Sequence, residues 1–337
     1  TGYFEDAIEH LNQATEIAPQ LSDPWLSLAE TYLEKEDTDQ ALHTLQTGAN
    51  AAGQKAEIYL ALGKFHQNQN KPALTLSAFQ KAFNFSEKEQ ASPKVLFETQ
   101  VCLGKILSQL GRLKESQKVL EKLLENTPEN QEAVFAYGEL LLKMDKPDKA
   151  LTYLARVIRN NPSNLAPYFA YAQAHLETGQ NLDAAIQALR KALKKEPNHG
   201  KGLALLGETL TAVGDTSSAL EAYERAIETA WSDDRIWGPR ISLGMGRAAL
   251  QQGKIEIALA ALQDSYQSNP ENLEIHHTLA EAYLQAKLKD ESEEILQAAF
   301  DFAPNDLDNL SWIANFASKI GAHSTSVLAL EKIIQLD

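Results

Sequence analysis

From Asn130 to Pro162 the chain reads NQEAVFAYGELLLKMDKPDKALTYLARVIRNNP, and this stretch decides the fold. Val134, Tyr137, Leu140 and Leu141 recur at the spacing of one helix face. Met144-Asp145-Lys146 breaks that pattern, and Pro147 opens a second helix where its missing N–H costs nothing. Leu151, Leu154, Val157 and Ile158 form the apolar stripe of this second helix. Asn161-Pro162 ends it, because the residue before proline is pushed out of helical geometry. Helices of about 12 to 14 residues are marginal alone in water. The pair must therefore be stabilised by packing on something else.

That something is more of the same. A small residue following an apolar one recurs at Ala29, Gly63, Gly104, Gly138, Ala172, Gly207, Gly246, Ala280 and Ala314, at intervals of 34, 41, 34, 34, 35, 39, 34 and 34. A second small column runs through Ala7, Ala41, Thr75, Ser116, Ala150, Ala185, Ala219, Ala258, Ser292 and Ser326. Four residues after each comes a larger apolar one, such as Phe79, Leu154 or Tyr223. Pro19, Pro128, Pro162, Pro197, Pro270 and Pro304 make a third column. Three columns with one period define an internal repeat. The small residues let helices approach closely, and each pair packs on the next as in a solenoid.

The columns resemble the tetratricopeptide repeat in length and residue pattern. Pro24-Trp25-Leu26-Ser27-Leu28-Ala29-Glu30-Thr31-Tyr32 is similar to that family's first helix, and Asp39-Gln40-Ala41-Leu42 and Ala222-Tyr223-Glu224-Arg225-Ala226 to its second. The resemblance implies an all-α fold, a right-handed superhelical α-solenoid of antiparallel helix pairs running as one array over residues 1–337. Nine units begin near residues 22, 56, 97, 131, 165, 200, 239, 273 and 307, after a lone second helix in residues 1–21. Two junctions are longer, at 84–96 and 230–239. The simpler reading is a lengthened helix or loop at each; the sharper one makes Trp231 and Trp237 a docking ledge.

Composition narrows the function. The chain has 337 residues, beyond the usual span of one hydrophobic core, and carries a net charge of −15. An acidic chain without a basic stripe repels phosphate backbones, which argues against nucleic acid as a partner. The one cysteine, Cys102, allows neither an internal disulfide nor a thiolate metal cage and suits the cytoplasm. No apolar run of about 18 residues could span a bilayer. The opening Thr1-Gly2-Tyr3-Phe4 reads as the start of a piece. The last helix carries Val327, Leu330, Ile333, Ile334 and Leu336 with nothing after it. The expectation is a longer natural protein, or a partner or second copy covering that end.

No catalytic constellation emerges. Adjacent His276 and His277 point about 100° apart on a helix and cannot share a metal. The chain contains no HExxH, CxxC, G-x-S-x-G or phosphate-cradling glycine loop. His66 and His175 fall in a column that is Tyr or Leu in other units and read as core residues. Gly244-Met245-Gly246 reads as close helix packing and Cys102 as a small hydrophobe. The chain is read as a non-catalytic scaffold with no cofactor and no metal. The alternative is the recognition arm of a larger enzyme or sensor.

The resemblance further implies that first helices line a concave groove. Residues three before the small anchor should face it: Leu26, Leu60, Val101, Phe135, Phe169, Ala204, Leu243, His277 and Ser311. Leu33, Leu142, Leu176, Leu250 and Leu284 should join them one turn on. This apolar strip is expected to be broadest at Phe135, Leu142, Phe169 and Leu176. Its borders hold Asp23, Glu30, Glu34, Glu57, Glu98, Glu132, Glu139, Glu177, Glu208, Glu274 and Glu281, opposed by Lys64, Lys105, Lys143, Lys201, Arg240 and Arg247. The expected partner is a protein or peptide with apolar anchors and basic flanks. The Lys/Asn/Arg clamp of co-chaperone repeats is not in these positions. Nor is the asparagine ladder of protein O-glycosyltransferase repeats.

Overall fold

The computed structural model describes residues 2–53, 55–88, 91–229 and 234–336. Nineteen helices run through them, with no strand among the described residues. They form two compact units, residues 1–164 and 165–337. The first unit holds α1 (Gly2–Ile17), α2 (Ser22–Glu34), α3 (Thr38–Ala51), α4 (Ala56–Asn68), α5 (Pro72–Lys88), α6 (Pro93–Gln109), α7 (Leu113–Asn126), α8 (Gln131–Lys143) and α9 (Pro147–Asn160). The second holds α10 (Ala166–Thr178), α11 (Leu182–Leu193), α12 (Gly200–Ala212), α13 (Thr216–Ile227), α14 (Asp234–Gln251), α15 (Ile255–Ser268), α16 (Leu273–Gln285), α17 (Lys289–Phe302), α18 (Leu307–Ile320) and α19 (His323–Leu336).

Several helices start and stop at local signals. Asn130 caps α8 by accepting from the N–H groups of Glu132 and Ala133, and Asn272 caps α16 from Glu274. Within a pair, the turn falls seven residues after the small anchor. There Glu36, Asn70, Gly111, Asp145, Gly179, Gly214, Gly253, Lys287 and Gly321 all have φ between 52° and 85°. A left-handed residue at this point ends the first helix and redirects the chain into the second.

The small anchors meet the large residues of the second column. A Cβ placed on Gly63 would lie 2.2 Å from the Phe79 ring, on Gly104 2.5 Å from Leu120, and on Gly207 2.6 Å from Tyr223. Where the second small column is serine, its hydroxyl bonds the anchor's carbonyl. Ser116 donates to Gly104 at 2.7 Å, and Ser292 and Ser326 donate to Ala280 and Ala314 at 2.9 Å. Consecutive pairs are tied at the helix-ending prolines. Arg156 donates to the Pro128 carbonyl at 2.6 Å and Arg225 to that of Pro197 at 2.7 Å.

The additional residues at the two long junctions enter helices. α5 and α6 have 17 residues each, and α14 has 18 with Pro239 inside it. Trp237 is 8% exposed, with Arg240 4.8 Å and Lys201 5.7 Å from its ring. A side chain so covered packs inside the unit rather than forming a ledge. Trp231 lies outside the described residues.

In each unit the first helices touch their successors: α2, α4, α6 and α8 in one, α10, α12, α14 and α16 in the other. Most second helices splay apart instead. The first-helix side of each unit is thus the crowded, inward-curving one.

Candidate functional site

That crowding decides which groove residues remain accessible. In the first unit Leu60 and Val101 are 5% and 2% exposed, so they are wedged between helices. Leu26, Phe135 and Leu142 are half-buried, and Leu33 is exposed. In the second unit Phe169, Ala204, Leu243 and Leu250 are buried, Leu176 and Leu284 half-buried. Phe169 stacks on the His199 ring at 4.1 Å and reaches Gly202, where a Cβ would lie 2.6 Å from it. His277 stacks on Trp312 at 3.8 Å. The expected apolar strip is thus interrupted, and at its buried positions the residues pack against neighbouring first helices. Close approach of first helices turns about half of that column into core.

What the face presents instead is charge, in a regular arrangement. The residue after the anchor in one unit meets the residue six before the anchor in the next. Lys64 bonds Glu98 at 2.5 Å, and Lys105 bonds Glu132 at 2.9 Å. In the second unit Arg240 grips Glu208 through Nε and, at 2.7 Å, through Nη2, while Arg247 pairs with Glu274. These rungs were present in the sequence as two columns of mixed sign, and only a comparison between consecutive repeats shows their pairing. Glu139, Lys143 and Glu177 are exposed along the same face.

Two rungs enclose a hollow. Leu176, Glu208, Arg240, Leu243, Arg247 and Glu274 line a cavity of about 380 Å³ in the second unit, with Tyr223 and Gly244 among its walls. The Tyr223 side chain, 1% exposed, lies against Gly207 and Gly244, where added Cβ atoms would fall 2.6 and 2.5 Å from it. The Glu208 side chain is 14% exposed, and burial raises its pKa despite the Arg240 guanidinium that opposes the shift. Its neighbour Glu274 remains half-exposed. The hollow thus pairs one carboxylate held firmly with one held loosely.

Reactive groups elsewhere are quiet. Burial pushes the Cys102 thiol up to about 11, so it is protonated at neutral pH. His66 and His175 are buried. Among the described residues, no cluster of three or more His, Cys, Asp or Glu side chains could hold a metal. Also among them, no helix is long and apolar enough to cross a membrane.

The family model described as "Tetratricopeptide repeat" matches residues 2–65, 107–176, 180–238 and 239–311. The chain belongs to the tetratricopeptide repeat family. Arrays of this family generally serve as protein-interaction scaffolds and are typically non-catalytic. Among curated relatives, ALBINO3-like protein 2, chloroplastic, of Arabidopsis thaliana is 29% identical over 136 residues, covering 36% of this chain and 26% of its own. TPR repeat-containing protein YpiA of Bacillus subtilis is 24% identical over 132 residues, covering 39% and 30%. The chain thus spans less than a third of the length of the curated relatives it matches. Similar solved structures include the APC/C hetero-tetramer Cut9–Hcn1, with TM-score 0.60, 16% identity, and 92% of this chain and 58% of that one covered. A tetratricopeptide repeat protein from Parabacteroides merdae gives 0.58 at 15% identity, covering 77% and 98%. The human IFIT1 dimer with m7Gppp-AAAA gives 0.58 at 16%, covering 99% and 82%. At such identities these likenesses show the fold alone.

Proposed function

We propose that this tetratricopeptide repeat chain is a non-catalytic scaffold that holds a peptide, helix or protein against the first-helix face of each unit. The hollow at Arg240 and Arg247 carries the reading. It offers half-buried Leu176 beside the exposed Arg247–Glu274 pair, which can be exchanged at little cost, since such pairs contribute only about 0–1 kcal/mol. Leu26, Phe135 and Leu142 are the corresponding anchors in the first unit, bordered by Glu132, Glu139 and Lys143. Two rungs hold only acids, Glu30 with Glu57 and Glu281 with Asp308, which suits a partner with basic flanks. A capped RNA of the sort named with IFIT1 is disfavoured by the net charge of −15.

The test begins with a partner captured from the source cell, purified and titrated against variants. Leu142→Asp and Leu176→Asp should each weaken binding by about 2 kcal/mol or more as central anchors. Ile257→Asp, on the second-helix side, should bind as wild type. Equal affinities for all three variants would overturn the reading. Phe169 is unsuitable for this purpose because its replacement breaks the stack on His199.

Two further readings rest on single observations. The small share of the curated relatives that this chain covers fits the recognition arm of a larger enzyme or sensor, which the full-length reading frame would decide. On α19, Val327, Leu328, Leu330 and Ile334 are 49–76% exposed, a surface fit for self-association. Light scattering of wild type and Ile334→Lys across concentration tests it: only the wild type should gain mass.

A further inference from the structure

In the first unit the splaying of second helices opens clefts on the side opposite the charged rungs. One lies between α3 and α5 above α4, has a volume of about 370 Å³, and is lined by Asn50, Leu62, His66, Leu74, Ala78 and Lys81 among others. That volume is at the lower end of the range for ligand pockets. None of its lining residues is acidic, in a chain with 46 Asp and Glu.

His66 distinguishes this cleft. The side chain is 9% exposed, and its Nδ1 is buried without a hydrogen-bond partner. His175 fills the same column in the second unit, but its Nδ1 lies 2.9 Å from the Gln180 carbonyl. A buried N–H with no acceptor is rarer than a buried lone pair with no donor. The His66 proton therefore belongs on Nε2. Since Nδ1 is buried, the ring edge that lines the cleft is the Nε2 edge, and it presents a donor. Burial lowers the His66 pKa, with Lys71 adding to the effect, which keeps the ring neutral. At the rim the Lys81 ammonium lies 5.3 Å from the Tyr59 ring and has no carboxylate partner among the described residues. The next such cleft, between α5 and α7 above α6, has no histidine and includes Glu115.

We propose that the His66 cleft is a second binding site, for a partner peptide in which an aliphatic side chain stands beside an acidic one. The aliphatic group packs on Leu62, Leu74 and Ala78. The carboxylate accepts from His66 Nε2–H, and Lys81 supplies the opposite charge at the rim. One ligand chemistry satisfies both His66 and Lys81, and a basic ligand would find no carboxylate in the lining.

The test uses the whole chain and two peptides, acetyl-Ala-Leu-Asp-Ala-amide and its Leu-Asn counterpart. Imidazole ¹⁵N spectra, assigned with His66→Phe, should show neutral His66 protonated on Nε2. The Leu-Asp peptide should shift that resonance saturably, and the Leu-Asn peptide should bind about tenfold more weakly, as expected for loss of a charge-assisted bond. Lys81→Met, an exposed change, should weaken only the Leu-Asp peptide. A proton on Nδ1, equal affinities for the two peptides, no saturable shift, or indifference to Lys81→Met would each overturn the proposal. Leu142→Asp and Leu176→Asp should leave this binding unchanged, so the outcome is separate from that for the first-helix face.

Discussion

The two units use the same internal lock and display different rungs. In each, a glycine anchor receives an aromatic ring from the second helix: Phe79 at Gly63 in the first unit, Tyr223 at Gly207 in the second. The rungs of the first unit pair partly exposed lysines with partly exposed glutamates. In the second unit the Glu208–Arg240 rung reverses the polarity and sinks its carboxylate to 14% exposure. The lock is constrained because a large side chain of the second helix occupies the space a Cβ on the anchor would need. Charge on the face is free to change sign, burial and strength.

The largest expected effect tests whether the lock is shared. Gly63→Ala and Gly207→Ala should each destabilise by roughly 1–3 kcal/mol, since the ring must move by more than its surroundings permit. The higher helix propensity of alanine offsets about 1 kcal/mol of the strain. Gly138→Ala meets Leu154 no closer than 3.0 Å and Tyr153 at 3.6 Å, and should be nearly neutral in urea unfolding. Similar midpoints for all three would show that the aromatic contacts yield.

The rungs come next. Arg240→Met leaves the sheltered Glu208 without its guanidinium and should cost roughly 1–3 kcal/mol. Lys64→Met removes an exposed pair and should cost about 0–1 kcal/mol, less still at high salt. Equal costs would erase the distinction between the units.

Acid should sharpen it further. Burial lowers the pKa of His66 in the first unit and of His199 and His276 in the second. His199 also caps α12, its Nδ1 accepting from the Gly202 N–H at 3.0 Å. A lowered folded pKa means that the unfolded chain binds protons first. The stability involved is complete above the unfolded value near 6.5 and is lost as pH falls through the folded ones. Glu208, raised by burial, has the opposite sign and offsets part of the loss in the second unit. Hydrogen exchange at pH 7 and pH 5 should show more loss of protection in the second unit than in the first.

Much of this was legible in the residues. Helix pairing, the small anchors and the membership of the family follow from columns that any repeat of this length would need. The groove was legible only in part. Leu60 and Phe135 occupy one column, yet one is core and the other half-buried, because burial depends on how closely successive first helices approach. The rungs required reading pairs of columns against each other. Gly202 and Gly244 fall outside the anchor column, so their contacts with Phe169 and Tyr223 had no periodic signal.

The left-handed turn gives the smallest and most pointed test. Five of the nine turn positions hold glycine, whereas Glu36 in the first unit and Lys287 in the second adopt φ of 64° with side chains that disfavour it. The left-handed region costs an L-residue with a Cβ roughly 1–2 kcal/mol, and glycine returns part of that gain through its freedom in the unfolded chain. Glu36→Gly and Lys287→Gly should therefore each stabilise by about 0.5–1 kcal/mol and raise the urea midpoint. The same change at Asp145 should do less, because aspartate tolerates this region better through local hydrogen bonding. If Glu36→Gly and Lys287→Gly were neutral or destabilising, side-chain contacts at those turns would outweigh backbone strain. The turn column would then differ between the units as the rungs do, rather than being shared like the lock.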